Sequence, residues 1–221
     1  MKKSKITPQY IAVIAMFSAI AFISVVISKV IPNVAGFLSY EPKDAVIVIA
    51  GFLFGPLSGL IISILVSFIE MITISTTGPV GFLMNVLSTA SFSIPPAVLY
   101  MKSRSKKSAV FGLIYGALIM TVVMILWNYI ITPLYMKVDR SVVVGMLLPI
   151  FLPFNMIKGG INACITLMLY KPVVTALRRA NLVEPSSGET PKAKFSAGFF
   201  AMLLAVMVTF VFAFLALAGV I

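Results

Sequence analysis

Residues 44–70 read DAVIVIAGFLFGPLSGLIISILVSFIE, and whether they cross a membrane once or twice decides the fold. No charge falls between Asp44 and Glu70, so the run fits either one helix or two short ones broken at Gly55, Pro56 and Gly59. Basic residues elsewhere choose between them. Twelve of the 17 Lys and Arg residues lie in four patches: Lys2, Lys3 and Lys5; Lys102, Arg104, Lys106 and Lys107; Lys171, Arg178 and Arg179; Lys192 and Lys194. The positive-inside rule puts all four on the cytoplasmic side. A single crossing by residues 44–70 would strand Lys102 to Lys107 outside, whereas a turn at Gly55-Pro56 keeps that patch with the others. Two helices are therefore expected. The first is only about half a bilayer long at roughly 1.5 Å per residue, so it must be tucked among other helices with its ends in water or protein.

Working outward, the composition fits a multi-pass membrane protein, with 61% hydrophobic residues, 10% charged and a mean hydropathy of +1.12. Ile11 to Ile31 is longer than the apolar core of a signal peptide, about 7 to 15 residues, and reads as a retained helix. Asn33 to Glu41 is an outside loop. Residues 60–74 cross outward, Thr76 to Gly81 turn, Val80 to Tyr100 return and Ala109 to Ile131 cross again. Thr132 to Arg140 form a second outside loop before a helix from about Ser141 to Tyr170, in which Pro149 and Pro153 predict a kink or local unwinding. The expectation is an all-α membrane protein: a six-helix core over 1–181, a cytoplasmic linker over 182–194 rich in Ser, Pro, Glu and Lys, and an additional transmembrane helix over 195–221. The N-terminus is then cytoplasmic and the C-terminus outside.

The net charge of +11 thus reads as topology, not as a nucleic-acid footprint, since no soluble domain is large enough to carry one. Cys164 is the single cysteine, so there is no disulfide framework. Histidine is absent, which removes the commonest metal ligand and general base; no metal site, catalytic residue or catalytic cofactor is expected. No G-x-x-x-x-G-K-[ST] occurs either, so if the chain moves anything uphill by nucleotide hydrolysis, another subunit must bind the nucleotide. An intramembrane enzyme would need a carboxylate cluster or an activated nucleophile. A passive scaffold would leave a lysine at membrane depth without a purpose.

That lysine is Lys158, which shares a helical face with Asn155 and Asn162 at spacings of three and seven. A lysine at membrane depth costs roughly 2.5 to 3.5 kcal/mol even on lenient scales, so this face must look into the protein. Asn128 and Asn85 bring amides from two other helices to a similar depth. Trp127, Tyr129 and Tyr135 flank Asn128, and Phe151 and Phe154 flank Asn155; stacking surfaces beside amides suit a flat heterocycle. Glu70, on a face with Ser63 and Ser67, is expected to reach interfacial water or to pair with Lys158. Glu41, Lys43 and Asp44 are expected to cap and solvate the short helix, with a further role in closing the outer entrance. Ala15 and Ala19 on the first helix, with Ala12 and Ser18 beside them, form a small-residue strip that admits a close helix.

Three stretches carry a family resemblance: Tyr40-Glu41-Pro42-Lys43-Asp44 leading to Gly51-Phe52 and Gly55-Pro56; Thr77-Gly78-Pro79-Val80-Gly81 followed by Asn85; and above all Leu152-Pro153-Phe154-Asn155-Met156-Ile157-Lys158-Gly159. Over about residues 6 to 180 the chain resembles the substrate-binding S components of energy-coupling-factor vitamin transporters, and among them the riboflavin-specific type. The resemblance implies six helices, tight binding of one vitamin from outside, association with a transmembrane coupling subunit and two ATPases, and toppling within the bilayer. It carries Asn128, Asn155 and Lys158 over as riboflavin-binding positions, beside which the reading of the residues sets Asn85 and Glu41 as further substrate-binding candidates, and it maps Ala15 and Ala19 onto the face that meets the coupling subunit. An S component for flavin mononucleotide or another vitamin is the alternative. The six-helix pattern lacks a counterpart of the helix over 195–221.

Overall fold

The computed structural model describes residues 7–183 and 197–221. The N-terminal and C-terminal basic patches, and most of the expected linker, lie outside the described residues. The order is α1 (Pro8–Ser28), α2 (Lys43–Phe54), α3 (Pro56–Thr73), α4 (Gly78–Ser103), α5 (Lys106–Ile130), the short α6 (Thr132–Met136), α7 (Arg140–Met146), a π-helical turn (Leu147–Phe151), α8 (Leu152–Arg179) and α9 (Ala197–Leu217). Among the described residues, six segments are long and apolar enough to cross a membrane: α1, α3, α4, α5, the continuous stretch Arg140–Arg179, and α9. With α2 they make the six-helix core and the appended helix read from the sequence.

Residues 44–70 do form two helices. Gly55 ends α2 and begins α3 at φ +100, a conformation open to glycine, and Pro56 then occupies the first turn of α3, where its missing N–H is harmless. The turn lies at the basic end of the bundle. There Tyr10 of α1 shares a hydrogen bond of 2.7 Å with Ser58, Gln9 donates to the Asn181 carbonyl at 2.6 Å, and the Tyr100 and Tyr170 hydroxyls meet at 2.7 Å. From this end, α2 rises only roughly 18 Å for its 12 residues, against a hydrocarbon core of about 30 Å. Its first turn therefore sits within the bilayer. The loop before it folds back to that depth, through a tight turn that pairs Val34 with Leu38 and buries Val34.

Two boundaries differ from expectation. The helix expected to end near Tyr170 runs on through Pro172 to Arg179, because packing of Val174 and Leu177 into the core outweighs the hydrogen bond that the proline removes. The loop over 132–140 contains the helical turn α6, anchored by buried Thr132 and Pro133. Around Pro149 and Pro153 the unwinding takes the form of the π-helical turn.

Helices α4 and α5 pack closest. Gly112 and Gly116, a G-x-x-x-G pair on α5, lie against Phe92 and Pro96 of α4; a Cβ on Gly112 would stand 2.7 Å from the Pro96 Cα. Gly112→Val is expected to lose about 1 to 3 kcal/mol through forced separation of the two backbones. Gly145→Ala, where a Cβ meets nothing within 4 Å, is the control and should leave thermal unfolding in detergent unchanged.

Candidate functional site

Opposite the basic end, five charged side chains meet inside the protein. Three of the chain's six acidic residues, Glu41, Asp44 and Glu70, face Lys43 and Lys158, and all five are buried. Lys43, fully enclosed at 0% exposure, donates to both Glu70 oxygens at 2.7 and 2.8 Å and lies 3.2 Å from Glu41 Oε2. Lys158 lies 3.3 Å from the same Glu41 oxygen and 3.4 Å from Asp44 Oδ2. The carboxylates are held from other sides too: Asn85 donates to Glu70 at 2.8 Å, and Thr89 donates to Asp44 Oδ1 at 2.6 Å.

The depth of α2 explains the cluster. A helix that starts half-way through the bilayer places its first-turn charges where only protein can neutralise them. The expected solvated cap of Glu41, Lys43 and Asp44 is thus corrected to a buried ion network. Glu70 is corrected likewise: it neither reaches water nor meets Lys158, but closes on Lys43 and Asn85. Ser63 and Ser67, on its helix face, bury hydroxyls that find no hydrogen-bond partner among the described residues.

The two ammonium groups are held differently. The 2.7 Å contact of Lys43 to Glu70 has the length of a strong charge-assisted hydrogen bond, whereas the contacts of Lys158 are longer, at 3.3 and 3.4 Å. At 3.4 Å Asp44 Oδ2 pairs with Lys158 by charge alone, since it accepts no hydrogen bond. An ammonium has three protons to donate, and Lys158 makes one long hydrogen bond, to Glu41. Glu41 Oε2 stands between the two ammonium groups, 3.2 Å from Lys43 and 3.3 Å from Lys158, so a guest reaching Lys158 must share the amine with it.

The candidate residues fall into three groups. Asn85, Glu41 and Lys158 belong to one continuous network through Glu70 and Lys43. Asn155, one turn before Lys158 on the same buried face, donates to the Phe151 carbonyl at 2.8 Å, a backbone acceptor in the π-helical turn. Asn128 donates to the Met124 carbonyl and accepts from Thr132 at 2.8 Å. Thr132 also lines a hollow of about 40 Å³ bordered by Trp127, Tyr135 and Met84. Ligand pockets run to about 300 Å³ and more, so this hollow alone is no seat for a tricyclic ring. Asn162 joins the network from below, accepting from Tyr40 at 3.1 Å and donating to the Glu41 carbonyl at 3.2 Å. Ala15 and Ala19 lie elsewhere, on the outward face of α1.

Lys43, Asp44, Thr89 and Tyr40 were not among the site residues expected. The signal was present in the shortness of α2: charges on a helix that stops half-way need partners at that depth.

Comparison with known proteins places these features in a family. The family model "ECF transporter, substrate-specific component" matches residues 9–170. The chain is 31% identical over 172 residues to the riboflavin transporter RibU of Staphylococcus aureus, covering 75% of this chain and 90% of that protein. It is 28% identical over 189 residues to the riboflavin transporter FmnP of Bacillus subtilis, covering 78% of this chain and 97% of that one. A solved S component of a bacterial ECF transporter superposes with a TM-score of 0.64 at 33% identity, covering 76% of this chain and 97% of that chain. With the six-helix core, the half-depth α2 and the buried lysine of α8 already in view, these matches show that the chain belongs to the substrate-specific components of ECF transporters.

Proposed function

We propose that this chain is the riboflavin-binding subunit of an ECF importer, which captures the vitamin from outside and delivers it inward with a transmembrane coupling subunit and two ATPases. The observation that carries the reading is its similarity, along nearly the full length of each, to relatives named as riboflavin transporters. The site chemistry agrees. Riboflavin's ring carries alternating carbonyls and nitrogens, which amides match as both donors and acceptors and an ammonium matches as a donor. Lys158 has protons to offer, Asn155 retains its amide oxygen, and Asn128 lies beside an aromatic-lined hollow. Asn85 and Glu41 act through the network that holds Lys158 in place. Ala15 and Ala19 give the exposed strip of small residues on which a coupling-subunit helix packs. The basic end faces the cytoplasm, with the N-terminus inside and the C-terminus outside, and the core over 1–181 works as one unit apart from the helix over 195–221.

A preference for flavin mononucleotide finds less support. A phosphate asks for cationic donors at the mouth, and Lys43 is fully engaged with Glu70 and Glu41, which leaves Lys137 and Arg140. Arg140 already stacks over the Tyr129 ring at 5.1 Å.

Protein purified in detergent is expected to quench riboflavin fluorescence at stoichiometric ratio and to keep flavin absorbance through dialysis, with flavin mononucleotide competing at least tenfold less well. A chain that releases all flavin on dialysis is not a riboflavin carrier.

A further inference from the structure

The appended helix α9 lies beyond residue 170, where the family match ends, yet it touches the candidate site. Most of α9 is open to lipid, and among its described residues Leu203 and Phe214 alone are buried. Phe214 packs edge-on against the Tyr40 ring, with centroids 6.0 Å apart, and against Phe154 at 6.4 Å. One turn earlier Phe210 lies over Gly160 of α8, where a Cβ would stand 2.5 Å from the ring. Gly160 is thus the opening that lets α9 approach. From Phe214 the contacts run inward without a break: Tyr40 donates to Asn162, Asn162 donates to the Glu41 carbonyl, and Glu41 pairs with Lys158.

We propose that α9 is a strap on the site: Phe214 is a positioning residue that holds Tyr40 against α8 and so sets how freely the segment 33–42 parts from Lys158. The physical ground is where the ring sits. Tyr40 ends the loop that brings Glu41 to half-depth, and it is held on one side by a hydrogen bond to Asn162 and on the other by the Phe214 ring of α9, whose other buried side chain, Leu203, packs in a separate cluster. Edge-to-face pairs hold by shape and quadrupole, so removing one ring loosens the loop without touching a charge. On this proposal the pairing persists with a guest in place, so its loss should speed opening in both states and raise entry and exit together.

The inference about the flavin rests on the reading of the chain as a riboflavin binder; the inference about the loop does not, and the test separates them. Full-length Phe214→Ala is compared with wild type by hydrogen exchange of the ligand-free protein and by stopped-flow riboflavin binding. Exchange of the amides over 34–41 is expected to rise about fivefold, and the association and dissociation rates to rise together by about fivefold, as loss of an aromatic pair implies, with Kd within about threefold. Phe214→Tyr, which keeps the ring, should stay at wild-type rates. Phe212→Ala, on the exposed side of α9, should change nothing. Gly160→Leu, which pushes Phe210 away and leaves Phe214 intact, should reproduce the Phe214→Ala effect. Faster exchange over 34–41 in a protein that binds no riboflavin would uphold the strap and overturn the proposed function. Unchanged exchange and rates in both Phe214→Ala and Gly160→Leu, or a rise spread evenly over α3 to α5, would overturn the strap while leaving riboflavin binding as measured.

Discussion

Lys43→Met is expected to lose about 3 to 5 kcal/mol of stability, the range for removing one partner of a buried ion pair. Lys43 is enclosed at 0% exposure and answers two carboxylates at once, Glu70 at 2.7 and 2.8 Å and Glu41 at 3.2 Å. Methionine keeps the volume of the stem and removes the charge, so the loss reads as electrostatics and not as a cavity. Glu70 would keep only the Asn85 amide at 2.8 Å, and Glu41 only the longer contact with Lys158. Thermal unfolding of the detergent-purified variant measures the effect. The double variant Lys43→Met with Glu70→Met should recover most of the loss, since replacing a buried pair by apolar groups of similar size is often neutral or stabilising. A single variant within about 1 kcal/mol of wild type, the ordinary range for a substitution away from such features, would mean that the network does not hold the bundle.

Much of this fold was legible because charge and hydrophobic length are coarse signals. The four basic patches and the Gly55-Pro56 break were enough to give two helices over 44–70, and α2 and α3 meet at Gly55 as that argument requires. Pro149 and Pro153 foretold the π-helical turn. Pro172 did not end α8, because the cost of one lost hydrogen bond is local while the packing of Val174 and Leu177 is tertiary and invisible in a linear pattern. The G-x-x-x-G pair Gly112 and Gly116 went unread among many small residues, although it sets the tightest helix contact.

The buried polar face of α8 was legible in its members and not in its wiring. The spacing of Asn155, Lys158 and Asn162 placed them on one buried face, which is where they lie. That Lys158 would meet Glu41 and Asp44 depended on a loop folding back to half-depth, and loops carry no periodicity to read. Glu41, Pro42, Lys43 and Asp44 look like a solvated helix start in any sequence window. Only the arithmetic of α2, roughly 18 Å of helix in a hydrocarbon layer of about 30 Å, shows that this start cannot be in water. The same arithmetic accounts for the unequal grip on the two lysines: Lys43 belongs to α2 and must be neutralised wherever the helix begins, whereas Lys158 arrives from α8 and meets carboxylates that already have other partners.

That inequality yields the second large effect. Lys158→Ala is expected to weaken riboflavin binding by at least tenfold, about 1.4 kcal/mol or more, while destabilising the fold less than Lys43→Met does. When Lys158 is removed, Glu41 keeps Lys43 at 3.2 Å and Asp44 loses its one ion-pair contact, a long one at 3.4 Å, but keeps the Thr89 hydroxyl at 2.6 Å, whereas removing Lys43 strips Glu70 of two hydrogen bonds at 2.7 and 2.8 Å. What disappears is the ammonium whose contacts, at 3.3 and 3.4 Å, are long and leave it protons to donate to a flavin carbonyl. Lys158→Met, which preserves volume, should show the same loss of binding, and Asn155→Ala should also lose at least tenfold by removing the amide one turn away. Fluorescence titration gives the affinities and thermal unfolding in detergent gives the stabilities, for the Lys43 and Lys158 variants side by side. If α8 supplies the guest's donor and α2 the scaffold, the two lysines separate along these two axes. Should Lys158→Ala and Asn155→Ala both bind riboflavin as wild type does, the face of α8 that carries them is part of the scaffold too, and the guest is held elsewhere.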